Sequence, residues 1–172
     1  MAVSIIHNSE HYSKVIEKVK YARKFVWIGT ADIKDLHVKS LKSAVSFLSV
    51  LNSIAQKKIS IRLLHAKEPG INFKNSLNKY PVLKKNIEME QCPRVHFKMI
   101  IIDSTFAYCG SANLTGAGLG LKSENNRNFE TGLITDDKQI INQLMDQFDN
   151  VWMGKYCKNC GRKTYCKTPL NK

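Results

Sequence analysis

The chain has 172 residues, 43% of them apolar, enough for one globular domain with a proper core. Its 27 lysines and arginines against 14 acidic residues leave a net charge of +13, which suits either a polyanionic partner (nucleic acid or anionic lipid) or a solvated lysine-rich surface. No apolar run is long enough to span a membrane, and the start, MAVSIIHNSE, lacks the basic region and long apolar stretch of a signal peptide. A cytoplasmic protein without stable membrane insertion is the expectation.

Residues 9–22 predict a first helix, with Val15, Val19 and Ala22 on one face. Residues 24–30, KFVWIGT, form a continuous apolar run typical of a strand buried on both faces. Residues 32–40 read as a polar connection. Leu41, Ala44, Val45, Leu48, Leu51 and Ala55 then keep helical spacing. Residues 59–64 alternate and are β-branched, a second strand. Residues 72–86 predict a short helix ended near Pro81, followed by a polar turn. Residues 87–90 read as a short strand. Residues 94–103 and 105–111 predict two strands joined by a tight turn at Asp103 and Ser104. Residues 114–128 are glycine-rich and polar, hence a loop, and 129–135 form another strand. From Asp137 onward, Ile140, Ile141, Leu144, Met145, Phe148, Val151 and Trp152 give the clearest helical stripe, with Asp136 as N-cap and Gly154 as stop. Strands alternating with helices imply an α/β layered domain over residues 1–154, with a short aperiodic tail at 155–172.

The stretch CPRVHFKMIIID, residues 92–103, carries the chemistry. A period of two puts His96 and Lys98 on one face of the strand and Val95, Phe97 and Met99 on the other. An unpaired lysine facing a core costs several kcal/mol, so that face either opens onto a cleft or belongs to a solvated edge strand. The pair by itself distinguishes nothing, since His37 and His65 also have a lysine two residues on. The continuation does. Asp103 follows, and the whole pattern reads His96-x-Lys98-x4-Asp103-x6-Gly110-Ser111-x-Asn113.

At every fixed position this pattern resembles the signature of the phospholipase D superfamily, and Asn128-Phe129-Glu130 resembles the Asn-x-Glu that members carry on a following strand. The resemblance implies a phospholipase D-like α/β/α sandwich with a central mixed sheet, and a phosphodiesterase that needs no catalytic metal. His96 would attack phosphorus and form a phosphohistidine. Lys98 and Asn113 would hold the non-bridging oxygens in the transition state. Gly110 and Ser111 would let the backbone approach the phosphate, with the Ser111 hydroxyl as a further donor. Glu130 would orient the histidine, as the third member of a triad does. Asp103, part of the same signature, looks more structural than catalytic. The family supplies a second histidine as general acid from a second motif copy. Here His7, His11, His37 and His65 do not continue the pattern: after His37 and His65 the aspartate position holds Ala44 and Asn72. A homodimer in which each chain contributes one His96 is therefore expected. His37, in the exit loop of the first strand, is a candidate cleft residue. The charge and the single motif favour a nuclease acting on DNA or RNA. The alternatives are a lipid phosphodiesterase and a nucleic-acid-binding module with weak catalysis.

Of the five cysteines, three lie in the tail. Without a secretory signal, metal binding is favoured there over disulfides. Cys157-x2-Cys160-x5-Cys166 has the close spacing of a zinc knuckle, yet a tetrahedral site wants four ligands. Cys109 sits in an apolar strand and reads as a buried thiol. Cys92, ahead of Pro93 in the turn into the His96 strand, is the expected fourth ligand of an all-cysteine structural zinc site. A disordered tail with free thiols, a disulfide and an iron–sulfur cluster are the competing readings.

Overall fold

The computed structural model describes residues 3–34, 36–39, 44–119 and 121–170. Its centre is a seven-stranded mixed sheet built from β1 (Val3–His7), β2 (Phe25–Thr30), β5 (Ser60–His65), β6 (Ile87–Gln91), β7 (Lys98–Ile102), β8 (Phe106–Gly110) and β9 (Thr131–Thr135). The strand order is β1-β9-β8-β7-β2-β5-β6. β2, β5 and β6 run parallel, joined by crossovers. From β2 through β7, β8 and β9 to β1 every pairing is antiparallel. A separate two-stranded ribbon pairs β3 (His37–Lys39) with β4 (Ala44–Ser46).

The central strands are apolar on both faces, so helices cover both. One face receives a π-helical turn (Tyr12–Ile16) running into α1 (Glu17–Val19), then α2 (Phe47–Gln56), α3 (Ile71–Asn78) and α4 (Pro81–Asn86). Here Val15, Val19, Leu51, Ile54, Phe73 and Leu83 pack on Val26, Ile28, Ile61, Ile100 and Tyr108. The other face receives α5 (Lys138–Trp152), whose Ile141, Phe148 and Trp152 pack on Trp27, Leu64, Met99, Ile101 and Ala107. Neighbouring residues along β2, β7 and β8 thus fall into opposite layers, as a period of two requires. The rings of Trp27, Phe148 and Trp152 stack in series, with centroids 5.1 Å and 5.7 Å apart. The Arg62 guanidinium lies 5.2 Å from both tryptophan rings, covering them with a cation that also meets Asp149 at 3.4 Å.

Several boundaries differ from the sequence expectation. β1 is an added strand; only Ile6 of it is buried, so its five residues carry little apolar signal. The polar connection after β2 contains the β3–β4 ribbon, and Ala44 and Val45 lie in β4 instead of the helix. Leu41 lies outside the described residues. α2 starts at Phe47 because the Ser46 hydroxyl accepts from Leu48 N (3.1 Å). α3 ends at Asn78, near Pro81 as expected, but Pro81 then opens α4 where a polar turn was expected, since a first helical position needs no N–H. α5 is capped by Asp137, whose carboxylate accepts from Gln139 N and Ile140 N, and not by Asp136. Gly154, with φ 69, ends that helix as expected. No helix among the described residues is long and apolar enough to cross a membrane.

Candidate active site

The sheet register gathers the motif at one rim. β7 runs opposite to its two neighbours, so its first residue lies beside their last ones: Met99 pairs with Gly29 near the end of β2, and Lys98 pairs with Gly110 at the end of β8. Gly110 in turn pairs with Gly132, near the start of β9. His96 through Phe97 form the extended lead-in to β7, which begins at Lys98 and not at Arg94 as expected. The alternation predicted for this stretch holds. Val95, Phe97 and Met99 pack with the α5 layer, and Lys98 Nζ reaches back to His96, 3.3 Å from Nδ1 and 2.8 Å from the carbonyl oxygen. His96 is exposed while Lys98 is buried. A Cβ on Gly29 would lie 2.3 Å from the Phe97 ring, so glycine there is what lets Phe97 lie flat on β2 and fix the lead-in.

Two further hydrogen-bonded groups flank this pair. Asn113 Oδ1 accepts from Asp32 N (3.1 Å) and lies 3.4 Å from the Thr30 hydroxyl. The backbone donor fixes which end of the amide is oxygen. Nδ2, with two N–H donors, has no bond to another described residue. The buried Thr30 accepts from Leu114 N (3.0 Å) and donates to Asp32 O (2.7 Å), tying the end of β2 to the segment that follows β8. Glu130 forms the second group. Its carboxylate accepts from the Ser111 hydroxyl and from Asn128 Nδ2 (3.0 Å). Its N–H donates to Asn8 Oδ1 (3.0 Å), and its carbonyl accepts from Asn8 N (3.0 Å). Thr131 N donates to the Ser111 hydroxyl (3.1 Å). Both carboxylate oxygens of Glu130 are therefore held by Ser111 and Asn128, and no bond joins Glu130 to His96 among the described residues. Glu130 precedes β9 and does not lie within it.

Gly110 has a packing role: a Cβ there would meet Tyr108 Oη at 2.5 Å and Gly132 Cα at 2.7 Å, so the pair lets β8 and β9 cross closely under Ser111. Asn8 and Thr30 are the residues that the motif alone did not indicate. Asn8 is a turn residue with φ 47 just after β1, a strand too short to be recognised, and Thr30 looks like one more β-former.

Asp103 stands elsewhere. It follows the far end of β7, roughly 20 Å from His96 at about 3.3 Å per residue. Its carboxylate accepts from Arg23 N (2.8 Å), Lys24 N (2.8 Å) and Phe25 N (2.9 Å), which clamps the start of β2. Its φ of 55 and that of Ser104, 56, make the tight turn. The His37 side chain lies outside what is described. Cys92, Cys157, Cys160 and Cys166 are free, half-buried thiols lining one cavity beside the lead-in. Burial pushes the Cys92 thiol up, and the other three thiols add to it. Among the described residues no three His, Cys, Asp or Glu side chains are placed to hold a metal ion, so the four-cysteine site is not assembled here.

Histidine, lysine, serine and asparagine lining the rim of a mixed α/β/α sandwich define a phosphodiesterase of the phospholipase D type. The chain belongs to the phospholipase D-like family: the family model described as "Cardiolipin synthase, PLD-like domain" matches residues 15–152. No curated protein matches it in sequence. Among solved structures it is similar in fold to NucT from Helicobacter pylori, with a TM-score of 0.64 and 19% identity over 86% of this chain and 93% of that one. Nuc from Salmonella typhimurium, a phospholipase D family member, matches with a TM-score of 0.64 and 13% identity over 88% and 93%. The archaeal chromatin protein TrmBL2 matches with a TM-score of 0.58 and 15% identity over 88% of this chain and 52% of that one.

Proposed function

We propose that the protein is a nuclease that cleaves DNA or RNA through a phosphohistidine at His96, with the partner subunit's His96 as general acid in a homodimer. The observation that carries this reading is the His96–Lys98 pair, an exposed imidazole with an ammonium held against it at the rim that also presents Asn113 and Ser111. While Lys98 donates to Nδ1, the imidazole proton sits on Nε2. A phosphate entering the rim draws the Lys98 ammonium onto a non-bridging oxygen. Nδ1 then takes up a proton from solvent while Lys98 stays an ammonium, Nε2 loses its own proton to solvent, and the freed lone pair attacks phosphorus. Lys98 and the Asn113 amide stabilise the oxygens as charge builds. The leaving alkoxide takes a proton from the second imidazole, which then activates the water that hydrolyses the phosphohistidine.

A net charge of +13 favours nucleic acid, because cations gain affinity by releasing counterions from phosphates. The lipid reading has one observation in its favour, the description of the matching family model. Hydrolysis of single-stranded and duplex oligonucleotides, set against phosphatidylglycerol and phosphatidylcholine vesicles, separates the two. His96→Ala should lose at least about a thousandfold in rate with the fold intact. Binding of oligonucleotides without turnover would leave a binding module, and a fully active monomer would remove the shared site.

A further inference from the structure

The tail turns very little of itself inward. Among its described residues only Cys157, Cys160, Cys166 and Leu170 are not exposed, and Leu170 joins the buried cluster that includes Val95 and Trp152. Three of the four inward residues of a lysine-rich segment are therefore thiols. They line a cavity of about 390 Å³ that Cys92 also lines. Cys92 and Cys157 also share the apolar cluster of α5. Cys109, on β8, is not part of this wall.

Two turns of the same kind present these sulfurs. Val95 N donates to Cys92 O (2.9 Å), and Cys160 N donates to Cys157 O (3.2 Å). Beyond the second turn, Arg162 N points at Cys160 Sγ (3.4 Å), and Arg94, inside the first turn, places Nη1 3.8 Å from the same sulfur. N–H donors aimed at sulfur stabilise a thiolate ligand far more than a neutral thiol, whose sulfur accepts only weakly. Arg94, Lys158, Arg162 and Lys163 line the same cavity, cations that offset the excess negative charge of four thiolates round a divalent ion.

We infer that Cys92, Cys157, Cys160 and Cys166 bind one zinc ion, which staples the C-terminal tail to the turn that leads into the His96 strand. Soft thiolates in a set of four suit tetrahedral zinc. Binding forms four Zn–S bonds and releases four thiol protons to the buffer. The four cysteines line one cavity without meeting at a common point, and the ion supplies the attraction that draws their sulfurs together, as metal sites coupled to folding do. The staple fixes the Cys92–Val95 turn, immediately before His96, and so acts as a positioning element for the nucleophile.

The test uses the full purified chain and does not depend on the substrate. Elemental analysis should give about one zinc per chain. Replacing zinc by cobalt(II) should give the intense red d–d bands and near-ultraviolet sulfur-to-metal charge transfer of a tetrahedral thiolate site. Cys92→Ser should weaken cobalt binding at least about tenfold, and Cys109→Ser should leave the spectrum unchanged. If Cys92→Ser does not fold, Cys92→His keeps a ligand and should shift the d–d envelope to shorter wavelength. The proposal is overturned by zinc-free protein whose thiols titrate as disulfides or fail to bind cobalt(II). A cobalt spectrum unmoved by either Cys92 variant would overturn it equally. Loss of hydrolysis with an intact cobalt site would fault the nuclease reading and leave the staple standing.

Discussion

Asp103 belongs to the motif and yet sits at the wrong end of its strand to touch a phosphate. Its replacement separates a structural role from a chemical one. The carboxylate accepts three backbone N–H groups at 2.8–2.9 Å. The Phe25 bond is partly buried and is worth about 1.5 kcal/mol, within the range for a charged acceptor. The Arg23 and Lys24 donors are solvent-facing, so water replaces much of each, leaving about 0.7 kcal/mol apiece. Asp103→Ala loses all three and also puts alanine at φ 55, at a further cost of about 1 kcal/mol, for a total near 4 kcal/mol. That is a large share of a typical domain's stability. Asp103→Asn is the more informative change. It keeps one acceptor oxygen and tolerates the left-handed turn, so it should cost about 1.5 kcal/mol and lower Tm by about 5 °C. Urea denaturation gives the stability, and hydrolysis of an activated aryl phosphodiester gives kcat. The expected result is a lower midpoint with kcat within about threefold of wild type. An unchanged midpoint with kcat lost by a hundredfold would refute the assignment of Asp103 to the fold.

Thr30→Val removes the hydroxyl that holds Leu114 N and braces Asn113, at about 2 kcal/mol, and should lower kcat beyond what stability explains, as single-turnover rates would show. Gly132→Ala drives a methyl to 2.3 Å from the Tyr108 ring and 2.9 Å from His11 Nε2, so thermal melting should show a loss of about 2–3 kcal/mol. His11 and His65 are buried, and burial holds both below the ordinary 6.5. Each donates from Nδ1 to a carbonyl, Asn8 O and Lys67 O, and His11 Nε2 has no hydrogen-bond partner among the described residues to stabilise an added proton's charge. The unfolded chain therefore binds more protons, and stability should fall as pH drops below about 6.5, by up to about 1.4 kcal/mol per pH unit for each histidine, levelling off below the folded-state values. Urea midpoints at several pH values measure this, and a His11→Gln variant should show a shallower slope.

The local signals of the sequence settled the central strands, the helix α5, the turn at Asp103 and the identity of the motif residues. Apolar runs and a period of two or 3.6 depend only on neighbours in the chain, and so does the spacing from His96 to Asn113. The sequence could not show β1, whose single buried residue, Ile6, gives no pattern, nor that Pro81 begins a helix, because proline both ends and opens helices. Register decided the rest. Whether Glu130 meets His96 or Ser111, why Gly110 must be glycine, and which end of β7 holds Asp103 all follow from how β2, β7, β8 and β9 slide against one another. The cysteines divide in the same way. Their number and the tail spacing are written in the chain, but only packing brings Cys92 to the cavity the tail cysteines line, because that contact joins segments with no local pattern in common.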